Sequence, residues 1–296
     1  MSEKNVVAVV GLGRMGAAMA HSVLRAGLNV RVYNRTPEKA ASLLAEGATL
    51  AASPAEAASG AAVVISSLLD DATLRAVVGA QDGLLAGLEP GAVHVSTSTV
   101  SPGCSNEMAS LHADTGTLFL AAPVLGRPPV AMAGELLSLA GGAQDALDLA
   151  RPVIEAYSSR ILHTGLVPGT ANSLKLAFNF YIAASAELFG EFLTFAESSG
   201  VEHDTAMQAL HGMQGSPAVT GYLDRIGARD FDDVGFAMST GLKDLRLMLD
   251  AAADVCCPLP FAAVAHDHTL TALATGLESK DWSAFTEITR LNAGLS

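Results

Sequence analysis

The chain has 296 residues, half of them hydrophobic and 16% charged, which predicts a large buried core and excludes extended disorder. Its formal net charge of −13 argues against nucleic acid and anionic membranes as partners, because phosphate groups are bound by surplus lysine and arginine. The three cysteines, Cys104, Cys256 and Cys257, fit neither a disulfide framework nor the spacing of zinc ligands.

Neither a signal peptide nor a membrane span is predicted. The first five residues are polar or neutral and carry no basic stretch that leads into an apolar one. The most membrane-like segment, residues 176–196, is interrupted by Asn179, Glu187 and Glu191, so a buried helix explains it better than a bilayer span. We therefore expect a cytoplasmic protein.

Short apolar runs alternate with helix-like stretches through the first half of the chain. The predicted strands are residues 6–10, 30–33, 62–66, 92–96, 118–121, 136–140 and 161–163. The predicted helices are residues 15–26, 37–46, 54–58, 71–78, 104–114 and 144–157. Such alternation predicts βαβ units and a mostly parallel sheet, and therefore an α/β domain.

The pattern changes after Gly169, where apolar residues recur at helical spacing and no convincing strand is visible. We expect a boundary between residues 165 and 169, which divides the chain into an α/β domain, 1–166, and an all-helical domain, 167–296. A long helix, residues 170–198, opens the second domain. The face of this helix between Phe178 and Phe195 is too apolar for a monomer, so a homodimer or homotetramer is predicted.

The glycines at the end of the first predicted strand form the pattern Gly11-x-Gly13-x-x-Gly16 and open a helix. This context is typical of the Rossmann dinucleotide-binding fingerprint, in which the glycines allow a tight turn and close approach of a pyrophosphate. The alternative is a strand–helix turn without a ligand. The predicted cofactor-binding residues of this loop are Gly11, Leu12, Gly13, Arg14, Met15 and Gly16.

The second predicted strand ends in Asn34-Arg35-Thr36, where an NAD-binding fold usually has an acidic residue for the ribose hydroxyls. Without a carboxylate to repel it, a 2′-phosphate can pair with the Arg35 guanidinium and the Thr36 hydroxyl. The pattern therefore favours NADPH over NADH, with NADH a weaker possibility. The alternative is a solvated turn before Pro37.

Five motifs occur in the order and spacing of the β-hydroxyacid dehydrogenases, which this chain resembles over nearly its whole length. They are VGLGRMG (10–16), HVSTSTVSP (94–102), AAPV (121–124), GTANSLKLAFN (169–179) and GLKDLRL (241–247). The family includes relatives of 3-hydroxyisobutyrate dehydrogenase, tartronate semialdehyde reductase and the glyoxylate/succinic semialdehyde reductases. The resemblance implies an NAD(P)-dependent oxidoreductase that acts on a CH–OH group or a carbonyl.

The resemblance implies that Lys175 is the catalytic lysine, with Asn179 and Ser98 as further catalytic residues. Lys175 and Asn179 are four residues apart, so a helix places both on one face. An ammonium group in a dry cleft has a lowered pKa, which suits proton exchange with a substrate oxygen. Without the motif, a lysine extending from an apolar helix would be the simpler interpretation.

The resemblance also implies cofactor contacts from Leu68, Leu69 and Thr99, and from Lys243 in the helical domain. For Lys243 the alternative is a surface partner of Asp244 or Asp250. A metal site at His266-x-His268 is not expected, because no third ligand is visible nearby.

The predicted substrate residues are Ser98 and the loop residues Val124, Leu125, Gly126 and Arg127. This loop departs from the family pattern Pro-Val-Ser-Gly-Gly, since an apolar Leu125 takes the place of the serine hydroxyl and Arg127 that of a glycine. A second departure is Phe178, which stands where the family usually has the first of two asparagines. Both departures affect the expected substrate more than the reaction.

The sequence thus predicts an NADPH-dependent enzyme that reduces a small aldehyde or keto acid, or oxidises the matching hydroxy acid. Hydride transfer to or from the nicotinamide is accompanied by proton transfer through Lys175. The alternatives are an imine reductase, a group that usually lacks lysine at this place, and a non-catalytic NADPH-binding module. The expected partner is a small-molecule carbonyl compound or hydroxy acid.

Overall fold

The structure, a computed structural model, describes residues 6–295, with the backbone alone for residues 186, 217, 218 and 247. Residues 1–5, on which the prediction of no signal peptide rests, lie outside the described residues. The chain forms two compact units, of which the first ends at Phe180 and the second begins at Tyr181.

The first unit alternates strands and helices. Its strands are β1 (Val6–Val10), β2 (Asn29–Tyr33), β3 (Thr49–Leu50), β4 (Val63–Ser66), β5 (Val93–Ser96), β6 (Leu118–Ala121), β7 (Val124–Leu125), β8 (Leu136–Gly141) and β9 (Ser158–Gly165). Its helices are α1 (Arg14–Arg25), α2 (Ala41–Ala45), α3 (Pro54–Ala58), α4 (Asp71–Gly79), α5 (Leu84–Gly87), α6 (Pro102–Asp114), α7 (Pro128–Met132) and α8 (Gln144–Ile154), followed by the first turns of α9 (Gly169–Ser198).

Six strands pair in parallel in the order β3-β2-β1-β4-β5-β6, which is the order typical of a dinucleotide-binding sheet. β8 joins β6 in antiparallel orientation, and β7 and β9 both pair with β8. Val10 is in register with Tyr33 and with Ser66, and Ser66 with Ser96. The segments that follow β1, β2, β4 and β5 therefore emerge together at one edge of the sheet.

Both faces of the sheet are covered by helices, and alternate residues of the strands enter two separate core clusters. On β1, Val7 and Val9 belong to one cluster, whereas Ala8 and Val10 belong to the other. Strands that are buried on both sides explain why the sequence shows continuous apolar runs rather than strict alternation. The predicted mostly parallel α/β architecture is confirmed.

Four short elements were not predicted, namely β3, β7, α5 and α7. Each has only two to five residues, too few for a hydrophobic period to be visible in the sequence. The predicted helix 37–46 is divided into a 3-10 turn, Pro37–Ala40, and α2. α8 ends at Ile154 rather than at residue 157, after a proline at position 152 that removes one backbone donor.

A chain of buried hydrogen bonds connects α6 to the carboxyl end of β4. The His94 and His112 side chains, both fully buried, lie 3.1 Å apart between Nδ1 and Nε2. His112 Nδ1 lies 2.7 Å from the Met108 carbonyl, and His94 Nε2 lies 2.8 Å from the Ser66 hydroxyl. Neutral imidazoles satisfy every one of these contacts, with each Nδ1 as donor and each Nε2 as acceptor.

Burial lowers the pKa of His94 well below its ordinary value, and the neighbouring His112 lowers it further. Burial also lowers the pKa of His112. The unfolded chain therefore binds more protons than the folded chain below a pH of about 6.5, so stability is retained above this pH and decreases below it. The limiting slope is about 1.4 kcal/mol per pH unit for each imidazole.

We expect the wild-type free energy of unfolding, measured with urea by circular dichroism, to decrease between pH 7.5 and pH 5.5. In the double variant His94→Phe/His112→Leu the decrease is smaller, because neither buried imidazole titrates. His211→Gln changes an exposed histidine and serves as the control. Equal pH dependence of the wild type and the double variant would contradict this assignment.

The second unit is helical. It contains the remainder of α9, α10 (His203–Met213), α11 (Pro217–Ala228), α12 (Met238–Asp254), α13 (Pro260–Ala274), a 3-10 turn (Trp282–Thr286) and α14 (Glu287–Asn292). Between residues 181 and 295 the only β pairing is one isolated bridge, Ala237 with Asp281. The predicted helical second half is confirmed. The change of secondary structure lies at 165–169, whereas the units divide within α9, so the boundary at 166–167 stays a prediction.

Asp281 connects the segments of this second unit. Its buried carboxylate accepts hydrogen bonds from the N–H groups of Gly235 and Phe236 and from the Ser283 hydroxyl, and it pairs with Arg225 at 3.4 Å. Burial alone raises the pKa of this carboxyl, but the hydrogen bonds and Arg225 outweigh it, so the pKa is lowered. An ionised carboxylate therefore holds the chain before α12 against the turn that follows Lys280.

Gly241 allows α12 to pack against Trp282, the chain's single tryptophan. A Cβ atom at position 241 would lie 2.1 Å from the indole ring. Because no side chain fits between the helix and the ring, the glycine of the GLKDLRL motif has a packing role. This close packing against Trp282 fixes the position of the part of α12 that carries Lys243, two residues after Gly241.

Candidate active site

The loop between β1 and α1 leaves space that fits a pyrophosphate. Gly11 has a φ of +95°, and a Cβ atom there would lie 2.3 Å from the Ser67 carbonyl oxygen. A Cβ atom at Gly16 would lie 2.0 Å from the Gly11 oxygen, whereas one at Gly13 would meet nothing within 4 Å. Gly11 and Gly16 thus allow close packing, and Gly13 faces open space at the start of α1.

The start of α1 offers unpaired N–H groups to an anion. Gly13 precedes the helix without a side-chain cap, and the first turn contains no acidic residue. Arg14 is exposed and Met15 is half-buried, so both remain available beside the loop. The Leu12 side chain is in the core and its N–H donates to Asn34 Oδ1 at 2.9 Å, so its predicted cofactor contact stays a prediction. The free N–H groups and the helix dipole favour a phosphate here.

Asn34 holds the end of β2 against this loop. Besides accepting from Leu12, its side chain donates to the Thr36 carbonyl oxygen at 2.9 Å. The side chains of Arg35 and Thr36 are exposed, as is that of Lys39 in the following 3-10 turn. Sequence reasoning missed Lys39, although its position four residues after Arg35 could have indicated it.

A cleft of about 650 Å³ joins these segments. It is lined by Val10, Gly11, Gly13, Tyr33, Asn34, Arg35, Thr36, Lys39, Pro54, Ser67, Leu68, Leu69, Ala72, Thr73, Ala76, Val77, Ala80 and Asp82. The cleft thus brings together the glycine loop, the residues after β2 and the predicted residues Leu68 and Leu69. It extends along α4, and Arg35, Lys39 and the start of α1 make one part of it attractive to an anion.

The loops after β4 and β5 are connected to each other by a hydrogen bond. Ser98 is buried, and its Oγ accepts from the Leu68 N–H at 2.9 Å. Thr99, the next residue, is exposed, and Leu69 is 84% exposed. Thr99 and Leu69 can therefore meet a ligand, whereas the Ser98 hydroxyl oxygen accepts a hydrogen bond within the protein and retains its own proton as a donor.

The predicted substrate loop lies between β6 and β8. Val124 is buried in β7, and Leu125 is half-buried against the same core cluster as Leu68. Gly126 has a φ of +135°, and a Cβ there would lie 2.4 Å from a Leu136 methyl. Exposed Arg127 immediately precedes α7, which begins with two prolines. The prolines therefore begin a helix, where the N–H groups they lack would be unpaired anyway.

Lys175 and Asn179 both lie on α9, in the part that belongs to the first unit. Leu174 and Phe178, which flank Lys175, pack against the core cluster that also holds Leu68 and Leu125. Lys175 is half-buried, and burial lowers the pKa of its ammonium group. Asn179 is exposed. A lysine in this setting can exchange a proton more easily than one in open solvent.

Asn172, which sequence reasoning also missed, attaches the first turn of α9 to the end of β5. Its Nδ2 donates to the Ser98 carbonyl oxygen at 3.1 Å, and its Oδ1 accepts from the Ser105 hydroxyl at 2.8 Å. The sequence around Asn172 does not indicate that its hydrogen-bond partner lies 74 positions away.

Lys243 lies on α12 in the second unit. Its side chain is 63% exposed and pairs with Asp244 at 2.8 Å. This contact agrees with the alternative given for Lys243, and its predicted cofactor role stays a prediction. Among the described residues no cluster of potential metal ligands is found, and none of the described helices is long and apolar enough to cross a membrane.

Two known families match successive parts of the chain. Residues 6–165 match the NAD binding domain of 6-phosphogluconate dehydrogenase, and residues 169–289 match the family described as NAD-binding of NADP-dependent 3-hydroxyisobutyrate dehydrogenase. The parallel strand order and glycine loop are those of a dinucleotide-binding fold, and the two family matches define the class as an NAD(P)-dependent oxidoreductase. Within this class, the chain belongs to the β-hydroxyacid dehydrogenase family, as its motifs predicted.

Several known proteins are similar over nearly the whole length of this chain. The chain is 38% identical to YfjR, an uncharacterised oxidoreductase of Bacillus subtilis, covering 94% of this chain and 97% of the relative. It is 30% identical to 3-sulfolactaldehyde reductase of Escherichia coli, covering 98% and 97%. The structure of an imine reductase from Myxococcus stipitatus in complex with NADP+ superimposes with a TM-score of 0.84 at 20% identity, covering 95% and 99%. The last likeness concerns the fold alone.

Proposed function

We propose that this enzyme is an NADPH-preferring reductase of small carbonyl compounds, with Lys175 as general acid and base. The observation that carries the proposal is the half-buried Lys175 on a helix attached to the same sheet edge as the glycine loop. Bound NADPH would supply the hydride that reduces the carbonyl carbon. Lys175 Nζ donates the proton to the carbonyl oxygen, and it takes that proton back when a hydroxy acid is oxidised.

The preference for NADPH is supported by the residues after β2. Asn34 stands where the usual acidic residue would be, so no carboxylate follows β2 directly to repel a 2′-phosphate. Its side chain is hydrogen-bonded to the Leu12 N–H and to the Thr36 carbonyl oxygen. Arg35, Thr36 and Lys39 line the cleft. Two cations and a hydroxyl at this place suit a phosphate that NADH lacks.

A turnover screen tests the proposal. Small semialdehydes, keto acids, a cyclic imine and the matching hydroxy acids are offered with NADPH or NADP+, and cofactor binding is titrated separately. Reduction of an aldehyde or keto acid is the expected result. Turnover of the imine alone would assign the protein to the imine reductases, and binding of NADPH without any turnover would make it a non-catalytic module.

A cytoplasmic location also stays a prediction.

The substrate is expected to be less polar beside the reacting carbon than 3-hydroxyisobutyrate. Leu125 offers no hydrogen bond and packs with Leu68 and Phe178 on one core cluster. Leu125→Ser should shift the ratio of kcat/KM towards small hydroxy acids, by about the 1–3 kcal/mol of a buried hydrogen-bond partner.

Leu137→Ser is the matched control, because Leu137 is the strand partner of Leu125 and belongs to the same cluster. It should leave the ratio unchanged. Efficient wild-type use of 3-hydroxyisobutyrate, with the same ratio in Leu125→Ser, would show that this loop does not determine specificity.

Assembly into a homodimer or homotetramer is supported by the exposed apolar side chains of α9. Phe180, Tyr181 and Ile182 are 72%, 67% and 59% exposed, and Leu188 and Phe192 are exposed too. A second subunit that covers these side chains would remove them from water. Light scattering at micromolar concentration should give at least twice the monomer mass of 30.2 kDa.

The variant Ile182→Asp should lower this mass, whereas Leu166→Asp, at an exposed leucine outside α9, should not. A monomer mass for the wild type would reject the assembly and leave the proposed reaction untouched.

A further inference from the structure

Asn172 is buried in the first turn of α9, three residues before Lys175, and only 1% of its surface is exposed. Both ends of its amide are used, one as donor to the Ser98 carbonyl oxygen and one as acceptor from the Ser105 hydroxyl. Ser98 and Ser105 are buried as well. A buried amide with a hydrogen-bond partner at each end holds its neighbours in one geometry.

The hydrogen-bonded chain continues beyond Ser98. Its Oγ accepts from the Leu68 N–H, so the loop after β4, the loop after β5 and the start of α9 are joined in sequence. A second contact fixes the helix start, since the Gly169 N–H donates to Asn106 Oδ1 at 2.8 Å. A Cβ at Gly169 would lie 2.7 Å from the Pro102 carbonyl oxygen, which shows how closely the two segments approach.

Because Asn172 lies three residues before Lys175, its hydrogen bonds to Ser98 and Ser105 also influence the orientation of Lys175. Residues three and four apart in a helix lie on nearly the same face, so the direction of Asn172 fixes that of Lys175 one turn later. Rotation or sliding of α9 would move Nζ of Lys175 relative to the segment that follows β5. Apolar contacts of Leu174 and Phe178 are less directional than two hydrogen bonds.

The chemistry of the site requires an amide. The Ser98 carbonyl needs a donor, and the Ser105 hydroxyl needs an acceptor. Asparagine and glutamine offer both in one neutral group, whereas an ionised aspartate can only accept. The mechanism proposed above makes no use of Asn172, which is not among the residues that line the cleft.

We propose that Asn172 is a positioning residue, whose amide fixes the height and rotation of Lys175 relative to the end of β5. The inference rests on the proposed function, in which Lys175 transfers the proton. Loss of the amide displaces the lysine without removing it, and a displacement of about 1 Å costs up to roughly a hundredfold in rate.

The test compares Asn172→Ala and Asn172→Gln with Ser173→Ala, a control at the adjacent, exposed position. We expect Asn172→Ala to lower kcat by roughly ten- to a hundredfold, with the Kd for NADPH within about threefold of the wild type. Asn172→Gln should restore part of kcat, because it keeps both amide functions. The control should change neither quantity.

A second measurement separates positioning from a merely structural role. The amines are reductively methylated with ¹³C-formaldehyde, Lys175 is assigned with Lys175→Arg, and its titration is followed by NMR. In Asn172→Ala the pKa of Lys175 should rise towards that of a solvated lysine, since the displaced ammonium gains water. This measurement needs no substrate, so it decides the inference even if no carbonyl compound is turned over.

Wild-type kcat and an unchanged Lys175 titration in Asn172→Ala would overturn the inference. If that variant fails to fold, Ser105→Ala replaces it, because it removes the donor to Asn172 Oδ1 and leaves the Ser98 contact. Ser105→Ala should then change kcat and the Lys175 titration in the same directions by a smaller amount, and no change in either would reject the positioning role.

Discussion

Replacement of Lys175 by alanine should lower turnover by about two to four orders of magnitude, the usual scale for a lost general acid or base. The Kd for NADPH should change little, because the glycine loop and the residues after β2 lie on other elements. Lys175→Arg should be nearly as inactive, since a guanidinium keeps the charge but does not release its proton near neutral pH. Stopped-flow and steady-state assays with NADPH measure both effects.

The pH dependence of turnover provides an independent test of the role of Lys175. Burial lowers the pKa of Lys175, so the protonated form is lost at a lower pH than for a solvated lysine, whose pKa is about 10.4. Carbonyl reduction needs the ammonium and should slow as the pH rises through this pKa, while oxidation of the hydroxy acid needs the neutral amine and should accelerate. Lys280→Ala, at a lysine paired with Asp232, is the control. A Lys175→Ala variant that keeps most of its turnover would leave the lysine structural.

Arg35→Ala should raise the Kd for NADPH by roughly ten- to a hundredfold, because a charged hydrogen-bond partner is typically worth ~1.5–3 kcal/mol. The Kd for NADH should change little, since NADH carries no 2′-phosphate. Lys39→Ala should act in the same direction with a smaller effect, as a single ammonium cannot form a bidentate contact. Fluorescence titration with both cofactors measures the change.

Arg160→Ala removes an exposed arginine on β9 and should affect neither cofactor. Added salt should weaken NADPH binding in the wild type more than in Arg35→Ala, because it screens the exposed charge pair. Tighter binding of NADH than of NADPH by the wild type, or equal weakening of both by Arg35→Ala, would refute the assignment of Asn34, Arg35 and Thr36.

The structure also explains why some helices and strands were predicted more accurately than others. Long segments with a clear helical period, such as α1 and α9, were placed within one residue, because their hydrophobic pattern is local. Short elements such as β7 and α7 owe their conformation to neighbours. Leu125 becomes part of a strand by pairing with Leu137 of β8, a contact that its own surroundings in the sequence do not indicate.

What the sequence by itself determined is the sheet of alternating strands and helices, the glycine loop and the helical second half. These follow from spacing within ten or twenty residues, and the glycines are required by backbone contacts such as that between Gly16 and Gly11. The family could be identified because its motifs are contiguous stretches, whereas the catalytic role of Lys175 stays a prediction.

Only the tertiary structure decided which polar side chains act on one another. Asn34 supports the glycine loop from 22 residues away, His94 and His112 form a buried neutral pair, and Asn172 reaches Ser98 across 74 positions. A buried polar residue looks the same in a sequence whether its partner is water, a neighbour or a distant carbonyl. Its role is fixed by the partner that satisfies its hydrogen bonds, and folding alone brings that partner within reach.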